Sequence, residues 1–333
     1  MARQWTVDEV LNMVRTFQPA CVLTTAAELD IFTVLCKRPT TAKSLAVKIG
    51  CDPRATTVLL DALTALGFLD KQKNKYRVPK ELVDMLAKSG PENILPGIRH
   101  LGNTLRRWIQ LAQVTKTGKP VERVPSIRGA SADLAAFIGA MHNFSDPIAA
   151  QIVDQLRPLT FNHLLDIGGA SGTWTIAFLR AAPEARATLF DLPEVIPLAR
   201  QRIADAELGD RVTFVAGDYY EDELPSGADF AWLSSVAHQN SRKQNRKLFA
   251  KIHTALQKSG ILVIRDVVMD ESRTYPEAGA MFAVNMLIAT EAGGTYTFDE
   301  FREDLSKASF RNVTLIHRDD AMNSLIRAEK LQG

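Results

Sequence analysis

The stretch LLDIGGASGTWTIAFL, from Leu164 to Leu179, sets three glycines and a serine between an apolar run and an amphipathic one. Gly168, Gly169 and Gly172 would permit a tight turn and let the backbone lie against a ligand with no Cβ in the way. Such turns also do nothing more than join a strand to a helix, so the loop alone is weak grounds for a site. Two carboxylates strengthen it. Asp191 closes the next apolar run, RATLFDLP, where a carboxylate can accept both hydroxyls of a ribose. Asp218 closes the run after that, RVTFVAGD, with Tyr219 beside it to cover an adenine. Three successive strand ends thus point at one nucleoside. Its identity stays open on these residues, because nicotinamide-dependent oxidoreductases also pair a glycine-rich loop with an acidic strand end.

The elements that must hold these residues are short apolar runs spaced by helical or loop segments: HLLDIGG, RATLFDLP, RVTFVAGD, ADFAWLSS and GILVIRDVV. Runs that are apolar throughout, rather than alternating, belong to parallel strands covered on both faces. FRNVTLIHR and MNSLIRAEK then predict an antiparallel hairpin at the sheet edge. The fold class expected is α/β, a Rossmann-like doubly wound sheet with an antiparallel C-terminal appendix, binding its ligand beyond the carboxyl ends of the strands.

A chain of 333 residues exceeds one ordinary core, and about two domains are expected. The first hundred residues read as short capped helices (VLTTAAELDIFTVLCKR, TTAKSLAVKIG, DPRATTVLLDALTALGFL) followed by the hairpin FLDKQKNKYRVP. Helix, turn, helix and hairpin is the order of a winged-helix module. Further helices in NTLRRWIQLAQVT and ADLAAFIGAMHNFSDPIAAQIVDQL flank the loop TGKPVERVPSIRGAS. The division expected is a winged-helix-like domain over 1–100, connecting helices over 101–160 and the α/β domain over 161–333.

A winged helix can read DNA or simply pack. The helix in the reading position carries Arg54 and little else suited to bases or phosphates, and Lys71, Lys73, Lys75 and Arg77 in the wing read as a solvated turn. Packing or dimerisation is the expectation; a ligand-responsive DNA-binding regulator is the alternative from another class.

Composition is that of a soluble globular protein rather than a disordered or membrane chain: 46% hydrophobic, 23% charged, and 40 Lys plus Arg against 38 Asp plus Glu for a net charge of +2. That balance gives no general reason to invoke nucleic acid or anionic lipid. Cys21, Cys36 and Cys51 lack C-x-x-C pairing and read as reduced thiols, the first two as small core residues. No metal site is expected. MARQWTVDEVLNMV begins an amphipathic helix unlike a signal peptide, and no apolar run reaches membrane-spanning length, so a cytoplasmic location is expected.

Taken together, LLDIGGASGTWTIAFLRAAPEARATLFDLPEV and RVTFVAGDYYEDELPSGADFAWLSSVAH resemble the S-adenosylmethionine-dependent small-molecule O-methyltransferases of the plant caffeate and bacterial antibiotic-tailoring type. The resemblance covers nearly the whole chain, including the N-terminal module, which that family uses to form homodimers. It implies S-adenosylmethionine as donor and S-adenosylhomocysteine as product. Gly168 falls against the methionine moiety, Asp191 on the ribose, and Asp218 and Tyr219 at the adenine. Asp166, Gly169, Gly172, Leu192 and Ser234 complete the implied donor set. It further maps His238, in SSVAHQN, onto the catalytic base and Asp266, in VIRDVV, onto the acidic residue beside it. Met141, His142, Met281, Asn285, Met286 and Tyr296 fall on segments that border the acceptor pocket. His100, His163, His253 and His317 lack such placement and read as structural, as does Trp232 within its strand.

The function implied is methyl transfer to a hydroxyl of a small aromatic or polycyclic metabolite, with no nucleic acid or membrane partner. Methyl transfer asks the protein to align the acceptor and remove its proton, and a neutral histidine suits that task. The chain departs from the family in three places. Gln239-Asn240 replaces the common Asp-Trp, Ser234 replaces a lysine of plant members, and Tyr296 replaces a second pocket glutamate. These changes leave C- or N-methylation, or donor binding without transfer, as alternatives.

Overall fold

A computed structural model describes residues 4–331, and the chain divides into two units. One comprises residues up to Arg106 with Val124–Asn143; the other comprises Arg107–Arg123 with the chain from Phe144 onward.

The first unit opens with helices α1 (Val7–Arg15), α2 (Phe17–Glu28) and α3 (Ile31–Leu35). Strand β1 (Thr40–Thr41) leads into α4 (Ala42–Ile49) and α5 (Pro53–Ala65), and β2 (Asp70–Gln72) and β3 (Lys75–Arg77) form the wing. The sequence sets these boundaries through its caps. Thr41 and Asp52 accept hydrogen bonds from the amides of Ser44 and Ala55 at 3.2 and 2.7 Å, and Gly50 ends α4 at a φ of 67°. Phe32, Leu45, Leu60 and Tyr76 are buried in one core. β1, β3 and β2 pair antiparallel in that order, giving the winged-helix arrangement. In the wing, Lys71 reaches Asp61 at 2.6 Å and Arg77 reaches Asp70 at 2.9 Å, so two of its four cations are engaged within the module. Cys21 and Cys36 are not the core residues expected. Both are half-buried free thiols, Cys36 lying against the core rather than inside it.

Helices α6 (Val83–Leu86), α7 (Leu95–Trp108), α8 (Leu111–Thr117) and α9 (Ala130–Asp154) follow, and the division between units falls within α7 and α9. NTLRRWIQLAQVT, expected to be helical, is interrupted at Ile109–Gln110, where α7 ends and α8 has not begun.

In the second unit, β4 (His163–Ile167), α10 (Thr173–Ala181), β5 (Arg186–Asp191), α11 (Ile196–Asp205), β6 (Val212–Ala216) and β7 (Ala228–Ser234) alternate as expected. They continue into α12 (Arg242–Ala255), β8 (Leu256–Asp266), β9 (Val268–Met269), α13 (Glu277–Ala289), β10 (Tyr296–Thr297), α14 (Phe298–Lys307), β11 (Arg311–His317) and β12 (Ser324–Glu329). The seven-stranded sheet runs β11-β12-β8-β7-β4-β5-β6. Strands β4 to β8 are parallel, whereas β12 pairs antiparallel with β8 and β11 with β12.

The uniformly apolar strands have a direct cause. Leu165, Leu233 and Ile264 pack on one face with Leu248 and Phe249 of α12 and Leu305 of α14. Their chain neighbours Leu164, Trp232 and Val263 pack on the other face with Phe178 of α10 and Ile203 of α11. Both sides of each strand are therefore buried. Strand order reverses between β4 and β7, which places the loop after β4 next to the turn after β7. Among the described residues no helix is long and apolar enough to cross a membrane, and no cluster of His, Cys, Asp and Glu could hold a metal ion.

Candidate active site

The glycine loop leaves β4 at Gly168, whose φ is +69°, and re-enters helix at Gly172, whose φ is +75°. Side chains other than glycine adopt such angles at a cost. Packing adds to the requirement. A Cβ on Gly169 would meet Leu189 at 2.6 Å, and one on Gly172 would meet Ile203 at 2.9 Å. These two glycines seat the loop on β5 and α11, leaving backbone as the surface it can offer a ligand. Asp166 lies beneath the loop, 1% exposed, accepting from the Thr175 hydroxyl at 2.6 Å. Burial, reinforced by the nearby Asp191 charge, pushes its pKa up to about 7.

Asp191, at the end of β5, accepts from the amide of Ala170 in the loop and from that of Leu192, each at 2.7 Å. The first bond joins two adjacent strand ends. Burial raises the carboxyl's pKa and the two amides oppose the rise. A carboxylate has about four lone-pair sites, so two amides leave room for two hydroxyls. Asp218, past the end of β6, accepts from the amide of Tyr220 at 2.9 Å. The half-buried Tyr219 stacks at a tilt on Tyr220, with ring centroids 4.6 Å apart. A flexible backbone cradle, a ribose-sized acceptor and an aromatic neighbour at consecutive strand ends fit an adenosine with a cationic sulfur: the loop itself, Gly168–Gly172, contains no lysine or arginine.

Across the switch point, the turn Ala237–Gln239 after β7 carries His238. Loop and turn nearly touch, since a Cβ on Gly168 would stand 3.0 Å from Cγ2 of Val236. His238 is buried, and its Nδ1 lies 2.8 Å from Oδ1 of Asp266, the last residue of β8. Asp266 also accepts from the amides of Val267 at 2.8 Å and His238 at 3.2 Å. A carboxylate so held can only accept, so the Nδ1 nitrogen carries the proton of this hydrogen bond. The imidazole also meets the ring of Phe282 edge-on at 4.7 Å.

Ser234, at the end of β7, accepts from Arg265 at 3.0 Å rather than standing free. The buried Arg265 donates to Ser235 and Asn323 as well and lies over the Trp174 ring at 4.8 Å. Burial lowers its pKa to about 10. Of the residues expected near an acceptor, Asn285 on α13 accepts from the Trp108 indole at 3.0 Å, Met286 is buried and Met281 is exposed. The Tyr296 hydroxyl donates to the backbone oxygen of Asn240. Met141 and His142 are half-buried on the part of α9 belonging to the first unit.

Sequence reasoning did not single out Asn240, Tyr220, Phe282 or Arg265 as site residues. Tyr220 adjoins Tyr219, Phe282 adjoins Met281 and Arg265 adjoins Asp266, and the Gln239-Asn240 departure marked the place of Asn240. Nothing in their residue types showed that they meet.

Two family models match the chain: an O-methyltransferase domain over residues 125–311 and an O-methyltransferase dimerisation domain over residues 11–83. The tetracenomycin polyketide synthesis 8-O-methyl transferase of Streptomyces glaucescens is 31% identical, over 92% of this chain and 91% of its own. The 3-hydroxy-5-methyl-1-naphthoate 3-O-methyltransferase of Streptomyces sahachiroi is 29% identical, over 88% of this chain and 86% of its own. In fold, human N-acetylserotonin methyltransferase, solved with S-adenosylmethionine, superposes with a TM-score of 0.82 at 24% identity, covering 100% of both chains. The glycine loop, the acidic strand ends and the buried histidine pair thus stand in a chain that belongs to the S-adenosylmethionine-dependent O-methyltransferase family and carries its dimerisation domain.

Proposed function

We propose that the protein methylates a phenolic hydroxyl of a small aromatic or polycyclic metabolite, with His238 as general base and Asp266 as its orienting partner. The observation that carries this reading is the buried His238–Asp266 contact of 2.8 Å beside the glycine loop. S-adenosylmethionine, when bound, supplies a methyl group activated on sulfur. Gly168 and Asp191 hold its methionine and ribose ends, with Leu192, Asp218, Tyr219 and Ser234 around the remainder. Asp166, Gly169 and Gly172 shape the loop from below.

At the acceptor, Nε2 of His238 takes the phenolic proton and the electron pair stays on the oxygen, which becomes the better nucleophile. Asp266 stabilises the resulting imidazolium. By name, one relative is an 8-O-methyl transferase of tetracenomycin polyketide synthesis and the other methylates the 3-oxygen of a hydroxynaphthoate, which supports an acceptor of that class. Met281, Asn285, Met286 and Tyr296 are the residues proposed to border it.

Residues 1–100 serve dimerisation rather than DNA binding. Two wing cations are engaged internally, and α1 exposes Val7, Val10, Leu11 and Val14 in the single chain, an apolar surface suited to a second copy. The enzyme works as a cytoplasmic homodimer with no nucleic acid or membrane partner.

Calorimetric titration with S-adenosylhomocysteine, followed by turnover on a panel of phenols, tests the reading. Saturable binding with methylation of at least one phenol is the expected result. Binding without transfer to any hydroxyl would overturn it.

A further inference from the structure

Asn240 follows the turn that carries His238 and is completely buried. Its side-chain oxygen accepts from the hydroxyl of Tyr220, in the loop after β6. Its Nδ2 donates to Oδ1 of Asn245 at 3.0 Å, and Nδ2 of Asn245 donates to the backbone oxygen of Ala237 at 2.9 Å. Its own backbone oxygen accepts from Tyr296 of β10, and its amide lies 3.3 Å from the oxygen of Ala237.

The orientation of the two amides follows from what each partner can do. The Ala237 carbonyl can only accept, so Asn245 must turn its NH2 there and its oxygen toward Asn240. Asn240 must then present Nδ2 to Asn245 and Oδ1 to Tyr220. Each hydrogen bond thus determines the next, and reversing either amide would leave buried groups opposed.

Three elements meet on this residue: the proposed donor loop through Tyr220, the base-bearing turn through Ala237, and the segment after α13 through Tyr296. The last contact is close as well. The amide of Gly294 donates to the His238 carbonyl at 2.9 Å, and a Cβ on Gly293 would approach that oxygen to 2.6 Å. Tyr296, its pKa pushed up to about 12 by burial, stays protonated at neutral pH and is committed to the Asn240 carbonyl as a donor.

We propose that Asn240 is a positioning residue that locks the His238 turn to the Tyr220 loop and to Tyr296 of β10, so that the imidazole holds one tautomer and one direction. This rests on His238 being the base. A base displaced by about 1 Å loses much of its effect while the fold survives.

The test uses Asn240→Ala, Tyr220→Phe and Tyr296→Phe in the full-length protein, with two readouts. In the nitrogen NMR spectrum of the histidines, the His238 signals, assigned by their loss in His238→Ala, should report a single Nδ1-protonated ring in the wild type. They should report mixed tautomers in Asn240→Ala and Tyr296→Phe. In turnover, all three variants should lose about tenfold or more in kcat on a phenol un-ionised at the assay pH, part of the hundredfold or more a positioned base contributes. On an acceptor already ionised, the loss in Asn240→Ala and Tyr220→Phe should stay within about threefold, and their affinity for S-adenosylhomocysteine within about twofold; Tyr296→Phe, at the acceptor's border, is judged by the tautomer. Equal losses on both acceptors, or an unchanged His238 spectrum in folded Asn240→Ala and Tyr296→Phe, would overturn the proposal. A wild type that methylates neither acceptor while its tautomer still depends on Asn240 would instead overturn the hydroxyl-methylation reading and leave the positioning role standing.

Discussion

Nδ1 of His238 and Oδ1 of Asp266 lie 2.8 Å apart, with both side chains buried at the ends of adjacent parallel strands. Because β7 and β8 run side by side, the turn after one hangs over the last residue of the other. Asp266 accepts from the backbone amide of His238 as well as from its ring, which ties the imidazole to its own main chain.

Replacing His238 by Ala should lower kcat on an un-ionised phenol by about 100-fold or more, with S-adenosylhomocysteine affinity little changed. Asp266→Asn should cost a similar factor, because an amide can present its NH2 to Nδ1 and favour the wrong tautomer. Steady-state kinetics beside calorimetry separates the two quantities. Equal loss of donor affinity and turnover would place the pair in donor binding instead.

Asp191 holds the glycine loop through Ala170, and the proposed function gives it the donor's ribose hydroxyls as a second task. Asp191→Ala should weaken S-adenosylhomocysteine by about tenfold or more, given that charge-assisted hydrogen bonds contribute roughly 1.5–3 kcal/mol each. The pH dependence has a definite sign. Burial raises the carboxyl's pKa, protonation removes acceptor capacity, and binding should therefore weaken as pH falls through that raised value. Calorimetry from neutral pH downward, with the mutant as baseline, checks this; a flat wild-type profile would contradict it.

The exposed apolar residues of α1 yield a third expectation. Leu11→Glu combined with Val14→Glu should shift the protein from dimer toward monomer in light scattering, without lowering the melting temperature of the monomer. Both side chains are largely exposed in the single chain, at 46% for Leu11 and 66% for Val14, so substituting them disturbs little internal packing. A dimer unchanged by both substitutions would move the interface elsewhere on the N-terminal domain.

The sheet was legible because its central strands are covered on both faces. Leu164 and Leu165 pack to opposite sides, so the apolar run betrays its burial directly. The glycine loop, Asp191 and Asp218 were legible because they occupy strand ends. His238 and Asp266 stand 28 positions apart, and their meeting depends on β7 lying beside β8, which the family resemblance supplied. Asn240 was not legible. Its two tyrosine partners lie 20 residues before and 56 after it, one in a loop and one in a two-residue strand, and a buried amide network is specified by side-chain geometry alone. The β9–β10 pair escaped notice for a related reason, since two residues per strand cannot show alternation.

Asp166 should make the stability of the ligand-free protein fall as pH rises. Burial is the chief cause that pushes its pKa in the folded chain up to about 7 from the ordinary value of 3.8. Between those values the folded state binds more protons than the unfolded state, so the slope of unfolding free energy with pH is negative. The stabilising contribution is greatest below about pH 4 and is lost as pH climbs through about 7, where the buried carboxyl must ionise. A shift of this size corresponds to an upper bound on the order of a few kcal/mol. Asp166→Asn keeps an oxygen for the Thr175 hydroxyl but cannot ionise. Denaturant titrations at pH 5 and pH 8 should show the mutant gaining on the wild type at the higher pH. An equal difference at both values would mean that Asp166 is ionised throughout, held in that form by Thr175 and the surrounding loop.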